Sequence, residues 1–153
     1  MGRIVYQFEV EHIFAQSLWN DTTFRTLLNN AGFSKEMRGN KIALYQNSEV
    51  VEALQNASDE FKASTLEGGF GLNRHEGAAS GGSQYGKNTF LRAQLTMIND
   101  SGASDEAKKY ALLHLHEWTT RLARGEILGS DGKPIPVMGN TDLGHTCCYA
   151  AHQ

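Results

Sequence analysis

The chain has only two cysteines in 153 residues, Cys147 and Cys148, and they are adjacent. Neighbouring α-carbons lie closer than an ordinary disulfide allows, so no disulfide framework exists. No apolar run approaches the length of a membrane span, and Met1 to Val10 carries charge where a signal peptide needs an apolar segment. The expectation is a soluble protein made in the cytoplasm, or one cut from something larger, with no membrane partner. An excess of basic charge is missing too. At a net charge of −3 there is no global field to recruit nucleic acid, which counts against a non-specific coat protein but leaves room for a local basic cleft. Repeats and low-complexity runs are absent. What is present is a 40% hydrophobic composition, enough for one domain with a real core and too little for two.

Apolar periodicity gives an α+β, mostly helical reading. Ile4, Tyr6, Phe8 and Val10 alternate within a strand-like segment, Ile4 to Phe14. A helix is expected from Asn20 to Asn30, capped by Asp21, apolar at Phe24, Leu27 and Leu28, and ended by Gly32 and Phe33. A short strand follows at Ile42-Ala43-Leu44-Tyr45, then one helix from a Ser48 cap to about Ala63. Seven glycines between Gly68 and Gly86 predict a loop with no regular element, and His75 lies inside it. Loops of that length in compact domains are either disordered or functional. Two more helices are expected, Asn88 to Ile98 and Ser104 to Arg124, the second with Ala107, Ala111, Leu115, Trp118 and Leu122 on one face. Gly125 to Gln153 holds both prolines and reads as turns and extended pieces.

The residues of most chemical interest are Glu11 and His12, side by side in the first strand. Adjacent strand residues point to opposite sides. One can therefore hold a cation while the other stays free to accept a proton, the division of labour that phosphodiester hydrolysis needs. Each residue also has a plainer reading: Glu11-His12 as an ion pair at a strand edge, Asn40 as a turn residue with positive φ, His75 as a solvated side chain. Trp19 and Trp118 are expected in the core. His114 and His116, two apart on a helix, diverge and are read as structural or exposed. His145, Cys147, Cys148 and His152 look like a zinc set, but adjacent cysteines rarely converge on one ion, and no Pro-Cys-x-x-Cys partners His116-Glu117 as a zinc deaminase would require.

Taken in order, Glu11-His12-Ile13, Leu18-Trp19-Asn20, Asn40-Lys41-Ile42-Ala43-Leu44, Leu72-Asn73-Arg74-His75-Glu76-Gly77 and Tyr85 form a pattern. It resembles the AHH group of the His-Me finger (HNH-like, ββα-metal) nucleases over residues 8 to 100. The resemblance implies a ββα-metal motif and a metal-dependent DNA endonuclease, with RNA as the alternative substrate or a scaffold that has lost its chemistry. It implies His12 as general base, which suits histidine's ordinary pKa of about 6.5, and Asn40 as the residue that orients the base or the loop around it. Glu11 and His75 become metal ligands. Arg74, Lys87, Arg92 and Tyr85 become substrate contacts. Glu11 stands where the group usually has its first histidine, which shifts the expected ion toward Mg²⁺, with Mn²⁺ or Zn²⁺ as alternatives. Ala79 stands where a further histidine is common, so Ser83, Gln84 and Tyr85 are candidates for the missing contact. A toxin role between bacteria, delivered by a secretion system and blocked by a cognate immunity protein, is likewise what the resemblance implies.

Overall fold

The structure, a computed structural model, describes residues 7–75 and 86–137. Strand β1 (Phe8–His12) pairs antiparallel with β2 (Lys41–Tyr45), setting Glu11 opposite Ile42 and His12 opposite Lys41. The long connection between them begins with Ile13 and Phe14, both buried, and a single 3₁₀ turn at Gln16–Asn20. Helix α1 (Thr22–Asn30) starts where the sequence places its cap: the Asp21 side chain accepts from the Phe24 amide. It ends in a Schellman arrangement. Phe33 N donates to Leu28 O and Gly32 N to Asn29 O, with Gly32 at φ +92°, a conformation L side chains avoid.

The single helix expected from Ser48 to Ala63 is two. Helix α2 (Ser48–Gln55) is capped by Asn47, whose side chain accepts from Glu49 and Val50 amides, and α3 (Asp59–Glu67) is capped anew by Ser58. Asp59 and Glu60 in the first turn complement the new amino terminus. The apolar period runs across the break and conceals it.

Part of the glycine-rich stretch is also more ordered than its composition suggests. Ala43 N donates to Gly69 O and Gly71 N to Ala43 O, so these glycines run as a parallel bridge beside β2. Gly71 is there because nothing larger fits. A β-carbon at this position would lie 2.5 Å from Ala123 O and 2.6 Å from a Leu44 methyl. Gly71→Ala is expected to destabilise the domain by about 2 kcal/mol through overpacking, read as a lower urea midpoint with an unchanged slope.

Helix α4 (Lys87–Asp100) and helix α5 (Asp105–Arg124, capped by Ser104 and closed by left-handed Gly125) enclose the core with α1. Phe14, Leu28, Leu91, Leu95, Leu115 and Leu122 are its fully buried centre. Both tryptophans are buried as expected, and Trp19 donates its indole N–H to Asn29 at 3.2 Å. On α5 the buried face is Leu112, Leu115, Trp118, Thr119 and Leu122, whereas Ala107 is exposed. After α5 the chain makes a small turn closed by the Leu128–Pro134 bridge. No described helix is long and apolar enough to cross a membrane. The expectations for Ile4 and Tyr6, for Glu76 to Tyr85, and for His145, Cys147, Cys148 and His152 lie outside the described residues.

Candidate active site

Three separate segments meet at Glu11. Near the end of β1 its side chain turns inward and is 9% exposed. His75 is drawn to it because the backbone after the glycine bridge stays on the sheet: His75 N donates to Tyr45 O at 2.9 Å. The His75 Nε2 atom then lies 3.2 Å from Glu11 Oε2. From the first turn of α4 comes Lys87, 1% exposed, whose ammonium bonds Glu11 Oε1 and donates to His12 O at 2.6 Å.

These contacts decide the charge state. Burial alone would push the Glu11 carboxyl up, but Lys87 and His75 more than offset it and hold the pKa at about 2. His75 moves the opposite way, raised by its hydrogen bond to Glu11 against the effect of burial.

His12 faces away from this cluster, as strand alternation requires. Its side chain is 13% exposed, and Nε2 lies 3.2 Å from Glu36 Oε1 and 3.3 Å from the Gln16 amide nitrogen. Lys41, opposite His12 in the register, pairs with Glu36 Oε2 at 2.8 Å and holds that carboxyl below its ordinary range. Glu36 is thus fixed as an anion beside the imidazole. In the neutral tautomer that places the proton on Nε2, facing Glu36, the lone pair is on Nδ1.

Asn40 is completely buried and does not touch the His12 side chain. Its Oδ1 accepts from Phe14 N at 2.8 Å, and its Nδ2 donates to Phe14 O at 3.1 Å and Lys35 O at 3.0 Å. It clamps the backbone just after His12 to the start of β2. The positive-φ turn reading of Asn40 does not hold, since no described non-glycine residue has positive φ. On α5, His114 is exposed while His116 points inward, edge-on to Phe14 and 3.2 Å from Asn40 Oδ1.

The expected substrate contacts scatter. Arg74 is exposed beside His75, its Nε donating to Gln46 O at 2.7 Å. Lys87 is not presented to solvent at all, because its charge is needed inside to neutralise Glu11. Arg92 lies 5.8 Å over the Phe24 ring and 3.5 Å from Ser17 O, and among the described residues these are its partners. Tyr85 lies outside the described residues. The sequence reading missed Glu36, Gln16 and the inward role of Lys87. Only Glu36 left a signal, five positions before the strand residue that pairs with His12.

Among the described residues no group of three or more His, Cys, Asp or Glu side chains is arranged to hold a metal ion. Glu11 and His75 offer a carboxylate and an imidazole, donor types a divalent ion takes, although the 3.2 Å between them is filled by their own hydrogen bond. Two donors about 2.1 Å from one octahedral ion and at right angles to each other are about 3 Å apart, close to the observed 3.2 Å. Mg²⁺ commonly takes one or two protein ligands and completes its shell with water. No protein-family model, characterised protein or solved structure matches the chain.

The buried groups set the response to acid. His116 is kept neutral by burial, its pKa lowered to about 4, with Lys87 adding to the effect. A histidine lowered in the folded state stabilises fully above its unfolded value of about 6.5 and loses that contribution as pH falls toward its folded value. Glu11, held at about 2, contributes stability that is lost between its model value of 4.5 and about 2. Urea unfolding is therefore expected to weaken in two stages on acidification, and His116→Leu to remove most of the first. A variant with the same loss between pH 6.5 and 4 as the wild type would contradict the assignment to His116.

Proposed function

We propose that the chain hydrolyses phosphodiester bonds in DNA, with His12 as general base. The observation that carries this reading is the convergence of Glu11 and His75, from distant parts of the sequence, at 3.2 Å, next to an imidazole that faces the other way with its own carboxylate. In this reading Glu36 holds the His12 ring by accepting from Nε2–H, and Nδ1 takes the proton from an attacking water. Asn40 fixes the backbone on which that ring stands. Arg74, exposed beside His75, supplies a guanidinium for a phosphate oxygen. A divalent cation held by Glu11 and His75 would supply positive charge to the phosphate. In this reading the antiparallel β1–β2 pair and the following α2 are the two strands and helix of a ββα-metal arrangement, with His75 contributed from the segment after α3. Use as a delivered toxin, with an immunity protein covering the site, belongs to the same proposal.

One observation favours a second reading, a binding scaffold without chemistry: both Glu11 oxygens are engaged by cationic or imidazole nitrogens from within the chain. Incubation with supercoiled plasmid and with structured RNA, in Mg²⁺, Mn²⁺, Zn²⁺ or EDTA, separates the readings. Nicked plasmid supports the DNA endonuclease, cleavage confined to RNA replaces the substrate, and no cleavage in any arm leaves the scaffold.

A further inference from the structure

We propose that Lys87 is a built-in cation on Glu11 that competes with a divalent ion and so sets how strongly the Glu11–His75 pair takes one. The proposal rests on reading that pair as a ligand set, but its test is binding rather than cleavage.

Lys87 is not an ordinary surface lysine that swings past a carboxylate. It is 1% exposed and bonded to both Glu11 Oε1 and the His12 carbonyl. Its backbone is pinned as well: Lys87 N donates to Val137 O at 3.1 Å, and Gly86 turns into α4 at φ +64°. The stem therefore starts from a fixed point in the first turn of the helix, and the ammonium at its end is buried against Glu11. Oε1 is therefore occupied by Lys87 in the free protein, while Oε2 and the His75 Nε2 atom are paired with each other at 3.2 Å and are the contact an incoming ion would have to part.

Charge then decides the affinity. Most sites that hold Mg²⁺ or Mn²⁺ carry surplus negative charge. Here the buried carboxylate is already neutralised by one buried ammonium. A divalent ion on Oε2 would sit a few ångströms from that ammonium in a poorly screened setting, where like charges repel strongly. The free protein should therefore bind divalent ions weakly. A phosphate entering beside His75 adds the missing negative charge, so ion and phosphate bind better together than apart.

Mn²⁺ titration of the full chain, followed by electron paramagnetic resonance and calorimetry, tests this directly. The wild type is expected to show only weak, millimolar binding. Lys87→Met should bind Mn²⁺ about tenfold tighter or better, and adding Glu11→Gln to it should abolish the gain. Thermal melts supply a second readout: Mn²⁺ should raise the melting temperature of Lys87→Met and leave that of the wild type unchanged. Binding by Lys87→Met no tighter than wild type would overturn the proposal. So would micromolar binding by the wild type that Glu11→Gln removes, a result that needs no Lys87 variant to fold. A chain that titrates as expected yet cuts neither DNA nor RNA would retire the nuclease reading alone; a chain that cuts DNA but binds Mn²⁺ tightly with Lys87 in place would retire this inference alone.

Discussion

His12→Ala is expected to yield a folded protein whose DNA cleavage has fallen by about 10²- to 10⁴-fold, the usual contribution of a positioned general base. The two halves of that expectation have different physical origins. The His12 ring is not part of the buried core; its polar partners, Gln16 and Glu36, are exposed. The pair with exposed Glu36 contributes little, about 0–1 kcal/mol, and the ring, 13% exposed, adds a modest packing loss, so the melting curve should shift slightly without loss of folding. The chemistry, by contrast, loses the imidazole that the proposal assigns to activating water, paired with Glu36. Glu36→Gln should cost less, because it weakens the hold on the ring without removing it. Parallel plasmid-nicking time courses and circular-dichroism melts check both halves. A well-folded His12→Ala that cuts at the wild-type rate would remove His12 from the mechanism.

Asn40→Ala is expected to do the reverse, lowering stability by about 3 kcal/mol or more and reducing cleavage only through loss of folded protein. Asn40 is fully buried and answers both backbone groups of Phe14 as well as the Lys35 carbonyl. Truncation leaves those groups without partners where water cannot easily replace the side chain, and each stranded group costs about 1–3 kcal/mol. A domain of ordinary stability, about 5–15 kcal/mol, then loses a large fraction of it. Asn40→Asp keeps the acceptor for Phe14 N but sets a carboxylate against the Phe14 and Lys35 carbonyls, so it should rescue little. Urea unfolding measured with cleavage per folded molecule checks this. Unchanged stability with abolished cleavage would instead place Asn40 in the chemistry.

The parts of the molecule legible in sequence are those governed by neighbours. Asp21 and Ser104 cap the helices they precede, Gly32 and Phe33 close α1, and the Glu11–His12 alternation sends the two side chains apart. These follow from backbone geometry within a few residues. The break at Ser58 escaped because the apolar period on either side is continuous and a serine cap inside a helical pattern looks like any other serine. Gly69 to Gly71 suggested freedom, yet Gly71 is there for close packing against Ala123, a contact between distant segments. Lys87 is the clearest case. As a lone lysine opening a helix it looks like a phosphate contact, and only the fold reveals that it faces a carboxylate 76 positions earlier. Asn40 was visible as a significant residue from its place in the ordered pattern, but its work is done on the backbone of Phe14, which no local rule identifies.

Cleavage in H₂¹⁸O tests the central claim most directly, because it asks what attacks the phosphorus. Each strand break made by the wild-type chain should leave one terminal phosphate carrying one ¹⁸O and one unlabelled hydroxyl end, and His12→Ala under the same conditions should leave the plasmid largely uncut. Cut ends without the label would mean that the attacking oxygen does not come from water. No role would then remain for His12 as the base that activates it.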